Sequence, residues 1–342
     1  MKLFYRLVIL ISIILVIYLL TNDEQEPKYT VYDIDCNVVG EYEIKEYDEI
    51  LEENSTYKGY CIKDLVASTT TIKSSEENPF KNISINIDGC LVESNINDNP
   101  TLIEEIFVVG HAYGTPGGTD DFFPKTLLNY LKENSRKELS GIALTGDFVR
   151  ENSLRSFQKV HSFIEENFST YFIAVGNHEV VNNNKVSIEN YNQIFKKDLF
   201  IKDYSSVIVI SANFSNENWL PSKVQIEKIN EAILNSKANY IILLTHQIFW
   251  QEETGGELEP NSYALLNTDL PYDSLNWLND NEKNIVIISG DYGAFGQETY
   301  CIQKYNKMFI ANGIGGLETD TLIKLSIYDN YTVIDEVLIS SG

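Results

Sequence analysis

The rhythm of apolar and polar positions along the chain changes near residue 105. From there, apolar runs of four to six residues alternate with stretches in which apolar residues recur at every third and fourth position. That alternation predicts strands separated by amphipathic helices. The runs at 106–109, 141–145, 171–175, 207–211, 240–245 and 285–289 are predicted strands, and 123–134, 154–167, 188–195 and 223–235 are predicted helices. Neighbouring strands separated by helices are joined by crossovers, so the expected class is α/β. After Asp291 the helical rhythm stops, and 300–303, 308–311, 322–328 and 333–339 read as antiparallel strands that close the domain. Upstream, short β-prone pieces around Tyr29, Tyr42 and Ile83 alternate with Asn, Ser, Asp and Gly. They predict a small β-rich region, either separate or packed on the main domain.

The N-terminus follows a different rule. Lys2 and Arg6 precede the run 7–20, interrupted only by Ser12 and Tyr18 and ended by Thr21-Asn22-Asp23-Glu24. Counted from Leu3, with Arg6 reaching back to the headgroups, the run has 18 residues. That is about 27 Å of helix against a hydrocarbon core of about 30 Å. No small-residue cleavage pattern follows, so an uncleaved signal anchor is expected, with a removed signal peptide and a secreted product as the alternative. The two cations place the N-terminus in the cytoplasm and the rest of the chain outside it, as a single-pass membrane protein. The expected division is an anchor at 1–22, an acidic stalk and β-rich region at 23–100, and the α/β domain at 101–342. Residues 251–284 form a long acidic insertion with Gly255-Gly256 and two prolines, of the kind that makes lids.

A formal charge of −24 repels nucleic-acid phosphates and anionic headgroups, which excludes nucleic acid as a long-range partner. An anionic substrate needs local compensation, and a bound divalent cation supplies it. Cys36, Cys61, Cys90 and Cys301 lack metal-ligand spacing. They fit one disulfide among Cys36, Cys61 and Cys90, or four buried thiols. Nothing points to a nucleotide cofactor.

Chemistry collects where the predicted strands end. These ends read Gly110-His111-Ala112-Tyr113-Gly114, Thr145-Gly146-Asp147, Gly176-Asn177-His178-Glu179, Thr245-His246 and Gly290-Asp291-Tyr292-Gly293. Each alone is an ordinary turn or cap. Together they place three of the chain's 4 histidines with Asp and Asn at the carboxyl ends of strands, where open α/β sheets bind ligands. Such nitrogen and oxygen donors suit Zn, Mn or Fe.

The order of these ends resembles the signature of the calcineurin-like metallophosphoesterases: Asp-x-His, Gly-Asp, Gly-Asn-His-Asp/Glu, a lone His, then Gly-His-x-His. Gly176-Asn177-His178-Glu179, Asp147 and His246 match it, and Trp219-Leu220 and Asn312-Gly313-Ile314-Gly315-Gly316 resemble the family's flanking segments. The resemblance implies a four-layer α/β/β/α sandwich and one or two divalent or transition metal ions. It further implies phosphomono- or diester hydrolysis of a phosphorylated small molecule, lipid or glycan. Asp147, Asn177, His246 and Asp291 would hold one metal, and His111, Tyr113 and Asp147 the other. His178 would contact substrate or protonate the leaving oxygen, Glu179 would orient its neighbours, and Arg150 is a candidate phosphate contact or a plain surface residue.

Two motifs depart from the pattern. His111-Ala112-Tyr113 stands for Asp-x-His, and Gly290-Asp291-Tyr292-Gly293 for Gly-His-x-His. One carboxylate is lost at 111 and one gained at 291, so the ligand charge is conserved, and a Tyr113 phenolate would suit Fe³⁺. Gly293 offers no side chain, which weakens the second site. Three functions stay open: a phosphoesterase outside the cytoplasm, a non-catalytic binding protein of the same fold, or other metal-assisted hydrolysis at one rebuilt site.

Overall fold

The computed structural model describes residues 28–32, 38–43, 80, 82–93, 100–117, 122–182, 185–204, 206–214, 222–250, 258–261 and 283–339. The expected anchor at 1–22, Trp219-Leu220 and most of the acidic insertion lie outside these residues. Among the described residues no helix is long and apolar enough to cross a membrane. The chain divides into two units, 1–77 and 78–342. In the first, β1 (Lys28–Tyr32) pairs antiparallel with β2 (Val38–Glu43).

In chain order the second unit runs β3 (Ile83–Asn86), β4 (Leu102–Val109), α1 (Lys125–Asn134), β5 (Ser140–Thr145), α2 (Leu154–Asn167) and β6 (Thr170–Ala174). A single helical turn, α3 (Asn177–Val180), leads through β7 (Val181–Asn182) and β8 (Lys185–Val186) to α4 (Glu189–Ile194), β9 (Leu199–Asp203) and β10 (Val207–Ala212). Then come α5 (Lys223–Asn235), β11 (Tyr240–Thr245), β12 (Asn284–Ser289), β13 (Tyr300–Lys304), β14 (Lys307–Ala311), β15 (Thr321–Tyr328) and β16 (Thr332–Leu338). The helices start where the sequence caps them. The Ser153 side chain accepts from Ser156 N at α2, and Ser222 and Gln225 form a reciprocal capping box at α5.

These strands form two six-stranded sheets, ordered β3-β16-β15-β4-β5-β6 and β13-β14-β12-β11-β10-β9. The second sheet explains its own continuous apolar runs. Val207, Val209, Ile242, Leu244, Val286 and Ile288 face a core shared with the first sheet. Their neighbours Ile208, Ile210, Ile241, Leu243, Ile285 and Ile287 pack with Ile229 and Ile233 of α5. A strand covered on both faces has no polar alternation to show. On the first sheet, Leu127 and Leu131 of α1 and Phe157, Val160 and Ile164 of α2 join the same core as Phe107 and Ile142.

Two expectations change. Residues 307–311 pair in parallel with β12, and only β13 lies antiparallel to them. The reason is burial: four of the five β14 residues are buried whereas no β13 residue is, so β13 turns the chain and takes the edge while β14 fills the interior position. The disulfide joins Cys90 to Cys301, 211 residues apart, with Cα atoms 5.8 Å from each other. The cysteines of the N-terminal stretch and the free-thiol alternative are therefore not what Cys90 follows. Ile83–Asn86, grouped by sequence with the β-rich stretch, is the edge strand of the first sheet, parallel to β16. Cys90 lies just beyond this edge strand and Cys301 lies in β13, the edge of the other sheet, so the bond staples two sheet edges. A second bridge is polar: Glu104 of β4, nearly buried, meets Lys202 Nζ of β9 at 2.6 Å and the Tyr204 hydroxyl. Buried charge is tolerable only when paired in this way.

Because a crosslink over so long a loop restricts the unfolded chain, Cys301→Ser should lower the unfolding free energy by about 2–4 kcal/mol. Urea denaturation of both proteins, with and without reductant, measures this, and wild type plus reductant should match the variant.

Candidate metal centre

The parallel registers bring strand ends to one rim. Val109 pairs with Leu144, Thr145 with Ala174, and Ser289 with both Thr245 and Ala311, so the residues that follow emerge together. Backbone bonds then lace the loops. His111 N donates to Gly146 O, Tyr113 N to Asp147 O, Asp291 N to His246 O, and Ile314 N to Gly110 O.

Asp147, His246 and Asp291 each turn one ligand atom into a common space, all within 4.8 Å of one another, and all three are buried. His246 Nε2 lies 3.6 Å from Asp147 Oδ1, 3.8 Å from Asp291 Oδ1 and 3.3 Å from Asn177 Oδ1. Its other ring nitrogen is 3.0 Å from Thr145 O, a group that only accepts. Nδ1 therefore carries a proton, and Nε2 is the ring nitrogen turned toward the carboxylates and the amide oxygen, where a cation would take its lone pair. One imidazole nitrogen, two carboxylate oxygens and one amide oxygen converging in a buried space form a donor set that fits a borderline divalent cation. A proximal carbonyl fixing the imidazole is the usual support for such a ligand. Burial works against the Asp147 anion, yet His246, His178, His111 and the His178 N–H hold its carboxyl below the ordinary range. Asp147 takes this position at φ 49°, a left-handed conformation that Asp tolerates better than most residues.

Glu179 holds the cradle from behind. It is fully buried, and its two oxygens accept four backbone N–H groups: Asp147 and Gly176 at 2.8 and 2.7 Å, Phe148 and Val149 at 2.8 and 3.0 Å. Burial and the Asp147 carboxylate push its own carboxyl up, to about 8, while the N–H donors from Val149, Gly176 and Asp147 pull it down. Gly176 approaches Asp147 and His246 closely. A Cβ there would lie 2.3 Å from Asp147 Oδ1 and 2.9 Å from His246 Nε2.

The remaining expected site residues form a second layer. The Tyr113 ring sits 4.3 Å from the His111 ring and 4.7 Å from the His178 ring, with the Arg150 guanidinium 5.4 Å over it. Tyr113 Oη is 3.4 Å from His178 Nε2, whose Nδ1 lies 2.8 Å from Arg150 O. His178 N also donates to Asp147 Oδ1 at 3.0 Å. Arg150 Nη2 donates to Thr115 O in an exposed hydrogen bond, with its guanidinium beside the Tyr113 ring. Burial pushes the Tyr113 phenol well up, as does Asp147, which works against a phenolate ligand. Burial likewise lowers His111, whose Nδ1 is 3.0 Å from Ile314 O. Among the described residues, the acid-and-imidazole group around the cation space does not include His111.

Sequence reasoning missed the carbonyls of Thr145 and Ile314 that set two imidazole tautomers. It also missed Asp320, which accepts from Gly315, Gly316 and Leu317 N and so fixes the loop bearing Ile314. No side-chain signal marks a carbonyl, and Asp320 reads in sequence as an ordinary turn residue.

Neither a family model nor a curated protein sequence matches the chain. Solved structures do show similarity. A single mutant of Vps29 from Entamoeba histolytica matches at 7% identity, covering 68% of this chain and 98% of its own, with a TM-score of 0.33. The phosphopantetheinyl hydrolase PptH from Mycobacterium tuberculosis matches at 9%, covering 63% and 91%, TM-score 0.39. Protein TM1076 from Thermotoga maritima matches at 11%, covering 69% and 99%, TM-score 0.35. At such scores and identities the likeness identifies neither family nor function.

Two substitutions separate the cradle from its support. Gly176→Ala should weaken binding of Mn²⁺ or Zn²⁺ by about 10- to 100-fold, measured by calorimetry, because its methyl enters the cation space. Glu179→Gln should cost about 3 kcal/mol in denaturant unfolding even without a cation, since its amide nitrogen faces two backbone N–H groups it cannot accept from.

Proposed function

We propose that this chain is a metal-dependent phosphoester hydrolase that works outside the cytoplasm. One observation carries the proposal: Asp147, His246 and Asp291 converge in a buried space, with Asn177 Oδ1 3.3 Å from His246 Nε2 and the His178 N–H on Asp147. A cation held there supplies positive charge that polarises a phosphoryl oxygen and acidifies water. The two sheets sharing a core, with α5 against the outer face of one, agree with the four-layer sandwich implied by the resemblance to calcineurin-like metallophosphoesterases.

The chain's own groups have separable tasks. The His178 backbone N–H binds Asp147, and its ring is fixed by the Arg150 carbonyl, so the imidazole is aimed before substrate arrives. From that position it contacts a phosphoryl oxygen or, protonated, delivers a proton to the leaving oxygen. Arg150 places a positive charge on a protein of net charge −24, which draws an anionic group to this rim. The substrate class is the phosphate ester of a small molecule, lipid or glycan. Location outside the cytoplasm rests on Lys2, Arg6 and the apolar run 7–20 as a membrane anchor, and the Cys90–Cys301 disulfide suits an oxidising compartment. The absence of any side chain at Gly293 favours a second function, a non-catalytic metal-binding protein of the same fold.

Assaying p-nitrophenyl phosphate and bis-p-nitrophenyl phosphate with the full chain across Mn²⁺, Zn²⁺, Co²⁺ and Fe²⁺ separates the two. Hydrolysis should appear, stop with chelator and with His246→Ala, and fall about 100-fold in His178→Ala with the cation retained. No release under any metal would leave the non-catalytic function standing.

A further inference from the structure

A second cation beside the first would need donors on the side of Asp147 occupied by the aromatic layer, and the groups there are already committed. His178 has Nδ1 on the Arg150 carbonyl and Nε2 facing the Tyr113 hydroxyl. His111 has Nδ1 on Ile314 O, leaving one lone pair. The Tyr113 ring packs against both imidazoles, 4.3 Å from His111 and 4.7 Å from His178. The Arg150 guanidinium over its ring adds a fixed positive charge that repels another cation.

The neighbouring loop closes the last opening. Gly293 sits at φ +79°, and a Cβ built there would lie 2.1 Å from Gly313 O and 2.7 Å from Gly313 C. Gly313 immediately precedes Ile314, whose carbonyl holds His111, so the two loops meet backbone to backbone behind that imidazole. A ligand side chain at 293 is thus excluded by packing as well as absent from the sequence. Among the described residues, Asp147 and one His111 nitrogen remain for a second ion, too few for a stable site.

We propose that the centre takes a single cation, and that the Tyr113 hydroxyl, held on His178, donates the hydrogen bond to substrate phosphoryl oxygen on the side where another cation would stand. This rests on the function proposed above. The side chains have the geometry for it: the hydroxyl lies 3.4 Å from His178 Nε2, the ring proposed to meet substrate, and the Tyr113 ring packs against both imidazoles. Tyr113 then replaces charge stabilisation by a metal with a neutral donor, and Arg150 supplies the missing positive charge.

Elemental analysis of the full chain, purified without chelator and then saturated with Zn²⁺ or Mn²⁺, reads the stoichiometry. One ion per chain is expected and two overturn the proposal alone. No bound ion overturns the metal-dependent function as well. Calorimetric titration with inorganic phosphate tests the tyrosine: Tyr113→Phe should keep one ion and weaken phosphate binding about tenfold, the scale of a hydrogen bond to a charged group. Loss of the ion in Tyr113→Phe, which would make Tyr113 a ligand, or unchanged phosphate binding would overturn it.

Discussion

Everything at the centre depends on one buried carboxylate that stands behind the cation space. Glu179 gathers the N–H groups of Gly176, Asp147, Phe148 and Val149, and so ties the loop leaving β5 to the turn leaving β6. Those two loops deliver Asp147, Asn177 and His178. A polar group in so dry a place is destabilising unless it is hydrogen-bonded, and here four backbone N–H groups meet its two oxygens. The same bonds hold Asp147 at a positive φ that an unsupported loop would relax.

The second sheet contributes by register. β11 and β12 run parallel in step, so His246 and Asp291 leave their strands side by side, and Thr145 O reaches across from the first sheet to orient His246. The three residues of the candidate site therefore come from both sheets, and their relative placement depends on the core the sheets share. The disulfide and the Glu104–Lys202 pair act on that rigidity by joining one sheet to the other. Two charge environments sit within this small volume. Asp147 and Asp291 make one half suited to a cation, and Arg150 with the neutral Tyr113 makes the other suited to an anion.

Periodicity located the strands and helices of the α/β portion closely, because each is long and covered by a partner layer; 154–167 and 223–235 coincide with α2 and α5. It could not give pairing direction, which depends on which strand is driven inward, so β14 was expected antiparallel. Nor could it pair Cys90 with Cys301, a choice made by sheet edges meeting in space. The gathering of Asp147, His246 and Asp291 in one buried space was legible because chemistry-bearing residues at strand ends stand out against apolar runs. The packing of the His111 ring against Tyr113 was not, since it depends on where two loops meet in space. Gly293 read in sequence as a missing ligand, whereas its clash with Gly313 is purely three-dimensional.

The most direct test is anomalous diffraction from crystals of the protein soaked in Mn²⁺. One peak should lie about 2.1 Å from oxygens of Asp147, Asn177 and Asp291 and from His246 Nε2. No peak in that space, with manganese bound at another place on the protein, would contradict the account.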